Sequence, residues 1–138
     1  MSAAPVLITG GAQRLGRHCA ERLRDDGHPV IISYRRERPE LEMLRQRGIV
    51  TLPADFASEA GILAFLERLK AETTSLRAIV HNASDWAPDS NGPEAGENFE
   101  RLFRIHMLAP YLINLHARGL LEACGEPQRD IVHMTDYV

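Results

Sequence analysis

Short apolar runs and longer stretches of helical periodicity alternate along this chain from one end to the other. Val6-Leu7-Ile8, Val30-Ile31-Ile32, Val50-Thr51-Leu52, Ala78-Ile79-Val80 and Ile131-Val132-His133-Met134 predict five strands. Between the first two, Leu15, Cys19, Ala20 and Leu23 recur at helical spacing and Gly27 closes the run, predicting a helix from Leu15 to Asp26. Leu41, Leu44 and the stop at Gly48 describe a short second helix. Ser58-Glu59 opens a third, with Ile62, Leu63, Leu66 and Leu69 as its apolar face. Asp85 to Gly96 is rich in Pro, Gly, Asp and Asn and reads as a loop. A long helix is then expected from about Glu97 to Cys124, interrupted in character by Pro110.

Strands apolar on both faces need helices on both sides, and strand–helix–strand alternation implies a parallel sheet with right-handed crossovers. The expected fold class is therefore α/β, a Rossmann-type doubly wound parallel sheet in three αβα layers. No internal repeat, low-complexity tract or linker divides residues 1–138, so one domain is expected.

Composition narrows this picture without changing it. An apolar fraction of 44%, a charged fraction of 25% and a net charge of −3 are ordinary for a globular protein. They offer no basic face for nucleic acid or an anionic membrane. No apolar run approaches the roughly 18 residues that span a bilayer. The opening Met1-Ser2-Ala3-Ala4-Pro5 has neither a basic nor a long apolar part, so no secretory signal is expected. Cys19 and Cys124 lack metal-ligand spacing and read as reduced core thiols, which predicts a cytoplasmic protein. No metal site is expected, since the six histidines form no pair at helical spacing with a carboxylate.

The chemistry concentrates at the ends of the predicted strands. Thr9-Gly10-Gly11-Ala12-Gln13-Arg14-Leu15-Gly16 joins the first strand to the first helix. Glycine there lets the backbone turn tightly against a pyrophosphate, and the free N–H groups of the helix start favour an anion. Gly10, Gln13, Arg14, Leu15 and Gly16 are the candidate contacts of this turn, Gly16 permitting close packing on the strand. Arg14, a cation at a helix N-terminus, opposes the helix dipole, a mild cost that suggests an anion is meant to bind. Ser33-Tyr34-Arg35-Arg36 follows the second strand with no acid before Glu37. Arginines in that place suit a ribose 2′-phosphate, which favours NADP(H) over NAD. Asp55, after the third strand, could equally be a turn residue or a helix N-cap. Trp86 could be a packing anchor or, beyond a strand's carboxyl end, part of a ligand site.

The glycine spacing resembles the TGxxxGxG turn of the short-chain dehydrogenases/reductases, with Arg14 in place of the middle glycine. His81-Asn82-Ala83-Ser84 resembles that family's NNAG motif. Ser84 with Trp86, and Asp136 in Met134-Thr135-Asp136-Tyr137, look like its pteridine reductase branch. The phrase His106-Met107-Leu108-Ala109-Pro110-Tyr111 resembles the same branch, with His106 replacing an asparagine.

The resemblance implies NADP(H) held by Tyr34, Arg35, Arg36, Asp55, Phe56, Asn82, Ala83 and Ser84 besides the glycine turn. It implies a pteridine substrate against Ser84, Trp86 and Asp136, with the tryptophan stacking the pterin on the nicotinamide. Asp136 and His106 would be the catalytic residues: reducing a C=N bond takes a hydride to carbon and a proton to nitrogen, so an acid relay makes sense there. His106 would serve in that relay or stand as a buried, hydrogen-bonded histidine. The family's Tyr-x-x-x-Lys proton donor does not occur in these 138 residues, and Tyr137 has no lysine after it. A chain stopping at its fifth strand would leave apolar edge and face uncovered, so a truncated or incompletely ordered chain is expected. The resemblance also implies a homo-oligomer, commonly a tetramer, assembled through the Phe99 to Leu121 segment, which is apolar on more than one face. Two other readings stand beside a dihydropteridine reductase: a carbonyl reductase of another branch, which Asp136 disfavours, and a non-catalytic NADP(H)-binding sensor.

Overall fold

The computed structural model describes residues 3–136; Met1, Ser2, Tyr137 and Val138 lie outside the described residues, and with them the reading of Tyr137. Five parallel strands form one sheet: β1 Val6–Ile8, β2 Val30–Tyr34, β3 Val50–Pro53, β4 Ala78–His81 and β5 Asp130–His133. Their order is β3-β2-β1-β4-β5, so the chain turns back on itself between β1 and β4. The register pairs Val6 with Val30 and Ala78, and Ile79 with Ile131.

Strand pleating divides the core into two layers. Val6, Ile8, Val30, Ile32 and Ala78 point to one face, where α1 (Arg14–Asp25) and α2 (Pro39–Gln46) supply Ala20, Leu41 and Leu44. Leu7, Ile31 and Ile79 point to the other. There α3 (Glu59–Glu72) brings Ile62, Phe65, Leu66 and Leu69, and α5 (Ala109–His116) brings Ala109, Leu112 and Ile113. Burying each of the large side chains contributes about 1.5–3 kcal/mol. The expected three-layer doubly wound sheet is the fold observed.

Three details differ from the sequence expectation. Leu15 and Leu63, assigned to apolar helix faces, are exposed, and Phe65 takes the central core place on α3. Ser58 does cap that helix, its Oγ accepting from Gly61 N–H at 3.0 Å. Cys124, read as helical, is a buried free thiol just beyond α6, while Cys19 is a half-buried one in α1.

The long helix is in fact three helices: α4 Ala95–Phe103, α5 and α6 Arg118–Glu122. A π-helical turn, Arg104–Leu108, separates the first two, and Ala117 breaks the second from the third. Pro110 supplies the cause of the first interruption, because it has no N–H to donate and its ring crowds the carbonyl four residues back. The widened turn leaves Phe99, Phe103, Met107, Tyr111 and Leu115 exposed at four-residue intervals along one side. Ile131, Val132 and Met134 are exposed at the β5 edge. Among the described residues no helix is long and apolar enough to cross a membrane.

Candidate active site: a cleft at the carboxyl ends of the strands

In open α/β sheets the ligand crevice lies outside the carboxyl ends of the strands, where the strand order reverses. Here that point is the β1–β4 boundary, and a cleft opens beside it. Gly10, Ala12 and Gln13 form its floor, and Ser33, Tyr34, Arg35, Arg36 and Arg38 form the wall after β2. Ala54, Asp55 and Phe56 close it after β3, and Ala83, Ser84 and Asp85 after β4.

Close backbone approach builds the floor. Gly10 has φ +64, and a Cβ there would stand 2.8 Å from Ala83 Cα. A Cβ on Gly16 would fall 2.4 Å from both Asn82 Nδ2 and Gly10 O, so this glycine packs on the turn itself rather than on the strand. Thr9, buried at the end of β1, ties the two central strands together: its Oγ accepts from the N–H groups of Asn82 and Ala83, each at 3.0 Å. Asn82 Nδ2 donates to Gly10 O at 3.1 Å, and Gly10 N–H donates to Ser33 Oγ at 2.9 Å. Asn82 thus shapes the floor without lining the cleft. Arg14 begins α1 with φ +51, the left-handed region that glycine occupies at least cost.

The wall after β2 is cationic. Glu37, the first acid after the strand, is gripped by Arg45 at 2.8 and 3.3 Å and does not line the cleft. That hydrogen bond holds the Glu37 carboxyl below its ordinary range. Burial, then Glu37, raises the Tyr34 phenol. Arg35 Nη1 lies 3.4 Å from Asp85 Oδ2, and the same carboxylate is bonded by Arg101 of α4. Burial pushes the Asp85 carboxyl up, but the Trp86 N–H and the two guanidiniums outweigh it and leave it lowered. Asp55 resolves as a turn residue, Oδ1 accepting from Ala57 N–H at 3.0 Å, while still lining the cleft. Phe56 is chiefly a core residue, set edge-on to Phe65 with centroids 5.4 Å apart.

At the far lip, His106 in the π-helical turn faces Ser84, with Nε2 3.1 Å from Ser84 Oγ and Nδ1 2.8 Å from Leu102 O. His106 is thus hydrogen-bonded but exposed, contrary to the buried alternative. Arg14, Leu15, Trp86 and Asp136 are exposed and stand outside the cleft wall. Trp86 is 78% exposed on the loop after β4, and Asp136 lies three residues beyond the end of β5.

Ser33, Arg38, Thr9, Asp85 and Arg101 were given no role of their own from the sequence. A polar residue within a buried strand (Ser33) or at its end (Thr9) was a usable signal. The Asp85–Arg101 pair left none, because only the fold brings the loop and α4 together. Behind the cleft, His81 stacks on His133 at 4.7 Å and its Nε2 lies 2.6 Å from Asn114 Oδ1.

A doubly wound sheet with a glycine turn at its switch point defines a Rossmann-type α/β protein. The family described as short chain dehydrogenase matches residues 4–127, and the chain belongs to it. It is 44% identical over 134 residues to a dihydromonapterin reductase of Klebsiella pneumoniae, covering 97% of this chain and 56% of that protein. The Enterobacter enzyme of the same name is 45% identical with the same coverage. The chain therefore spans little more than half the length of these relatives. Among solved structures, FolM alternative dihydrofolate reductase 1 from Brucella suis, in complex with NADP, superposes with a TM-score of 0.82 at 24% identity. That likeness, covering 96% of this chain and 57% of that one, supports the fold.

Proposed function

We propose that this chain is the NADP(H)-binding part of a dihydropteridine reductase. The carrying observation is one cleft that joins the tight glycine turn to three arginines, with Glu37, the first acid after β2, held off its lining by Arg45. The floor fits a pyrophosphate, since Gly10, with φ +64 and no Cβ to strike Ala83, turns the backbone tightly along the cleft, and Arg35, Arg36 and Arg38 fit a 2′-phosphate. Gly10, Ala12 and Gln13 would hold the pyrophosphate with Arg14, Leu15 and Gly16 of the helix start behind them. Tyr34 and the arginines would hold the phosphorylated ribose, Asp55 and Phe56 the adenine side, and Asn82, Ala83 and Ser84 the nicotinamide side. When bound, the reduced nicotinamide supplies a hydride.

The substrate reading draws on the two relatives named dihydromonapterin reductase. Ser84, with His106 behind it, orients the substrate at the lip, Trp86 covers it from the loop, and Asp136 serves proton delivery to the ring nitrogen. Reduction of dihydromonapterin, and weakly of dihydrofolate, is the corresponding activity of the whole protein, in a reducing cytoplasm that suits its two free thiols.

The exposed stripe from Phe99 to Leu115 supports assembly with further copies, up to a tetramer. Phe103→Glu would then lower the sedimenting mass, and an unchanged mass would refute that assembly.

The function is tested by titrating NADPH and NADH into the chain, then following NADPH oxidation by the whole protein with dihydromonapterin. NADPH binding at least tenfold tighter than NADH, with turnover, is expected. Equal affinities would remove the NADP(H) assignment. NADPH binding without turnover would favour the sensor reading.

A further inference from the structure

We propose that His106 is a positioning residue that fixes the Ser84 hydroxyl as a hydrogen-bond acceptor toward the cleft, so that this lip selects ligand groups bearing an N–H donor. The inference rests on the function proposed above and specifies its substrate chemistry.

Proton bookkeeping around one imidazole carries the argument. Nδ1 of His106 lies 2.8 Å from the carbonyl oxygen of Leu102, which can only accept, so Nδ1 carries the hydrogen. In the neutral ring Nε2 is then bare and can only accept. It faces two groups. Ser84 Oγ stands at 3.1 Å, and the Asp85 backbone N–H, an obligate donor, at 3.4 Å. Ser84 therefore donates its single hydroxyl hydrogen to His106. What it shows to the cleft, which it lines, is lone pairs.

An amino group or ring N–H at that place completes the serine's bonding. A carbonyl oxygen or bare ring nitrogen there meets lone pairs with lone pairs. The arrangement depends on the π-helical turn Arg104–Leu108, which carries His106 while Leu102, its anchor, belongs to α4. Ser84 alone would not discriminate, because a free hydroxyl turns to suit donor or acceptor.

Two measurements on the full chain test this. Nitrogen-15 NMR of labelled histidine is expected to show His106 protonated on Nδ1, with the Nε2 resonance moving in Ser84→Ala. Protonation on Nε2 instead would overturn the assignment. With NADP⁺ present, the affinities of diaminopteridine, pterin and lumazine, which carry two, one and no amino groups on the pyrimidine ring, are then compared.

The amino-bearing ring should be preferred at one of the two positions by about tenfold, the weight of one hydrogen bond. His106→Leu should abolish that preference, and His106→Gln, whose carbonyl can accept the serine hydrogen, should retain it. Adding His106→Leu to Ser84→Ala should change nothing further, since the histidine acts through the serine. If all three compounds bind and their ranking is the same in wild type and His106→Leu, the inference is overturned while the function stands. If none binds the wild-type chain, the dihydropteridine reading fails and takes the ligand half of this inference with it.

Discussion

Arg45 of α2 grips the Glu37 carboxylate with two nitrogens, at 2.8 and 3.3 Å, and its third nitrogen anchors to Thr51 at 2.9 Å. An acid close behind β2 is thereby neutralised and kept off the cleft wall. In Arg45→Gln the carboxylate is released beside Arg35, Arg36 and Arg38, where it competes with a phosphate. NADPH affinity should fall about 3–10-fold with little change for NADH, as expected for one freed charge near the surface. Glu37→Gln in the same chain should restore it. Fluorescence titration reads both, and an unaltered NADPH-to-NADH ratio in Arg45→Gln would rule this role out.

Arg14 predicts effects of opposite sign on stability and binding. Its φ of +51 is costly for any residue with a Cβ. Arg14→Gly should raise unfolding stability by about 1 kcal/mol. Loss of the cation should at the same time weaken NADPH binding. Arg14→Ala keeps the strain and loses the charge, so it should weaken binding without stabilising the fold. Urea midpoints beside affinities would separate the two; a destabilised Arg14→Gly would contradict the strain argument.

Thr9 holds the two central strands together at the cleft floor. Thr9→Val preserves shape but strips the acceptor from the Asn82 and Ala83 N–H groups. With two half-buried donors unpaired, the loss should be about 2 kcal/mol. Thr9→Ser should keep most of the stability. Chemical denaturation of both variants checks this, and a Thr9→Val chain as stable as Thr9→Ser would show that water replaces the hydroxyl.

His81 makes stability depend on pH. Burial pushes its imidazole below the ordinary value of 6.5, an effect the Asn114 hydrogen bond partly offsets and the neighbouring His133 reinforces. The unfolded chain then binds more protons than the folded one as pH falls below about 6.5. The stability at stake is fully present above that value and lost progressively down to the depressed folded pKa. The urea midpoint should therefore fall on acidification from about pH 7.5 to 5, and less so in His81→Asn. Identical slopes for the two chains would remove His81 as the cause.

Five strands, the glycine turn and the arginines behind β2 were legible in the sequence because each is encoded locally. A short β-branched run marks a strand, a glycine frees one turn, and an acid is either present or absent at a given offset. The π-helical turn before Pro110 was only half legible, since a proline announces a disturbance without saying how the helix absorbs it, and the break at Ala117 left no signal at all. The resemblance implied cofactor contacts at Asp55 and Phe56; both line the cleft, and only the fold shows that Phe56 also packs on Phe65 and that Asp55 also closes a turn.

The remaining arrangement was decided by tertiary structure. The order β3-β2-β1-β4-β5 sets Thr9 against Ala83, 74 residues away, Arg35 against Asp85, 50 away, and Ser84 against His106, 22 away. Hydrogen bonds over such separations follow from which strand ends and helix turns meet in space. Local periodicity carries no record of that meeting, so the residue types of this site were written in the chain while their partners and proton directions were set by the sheet.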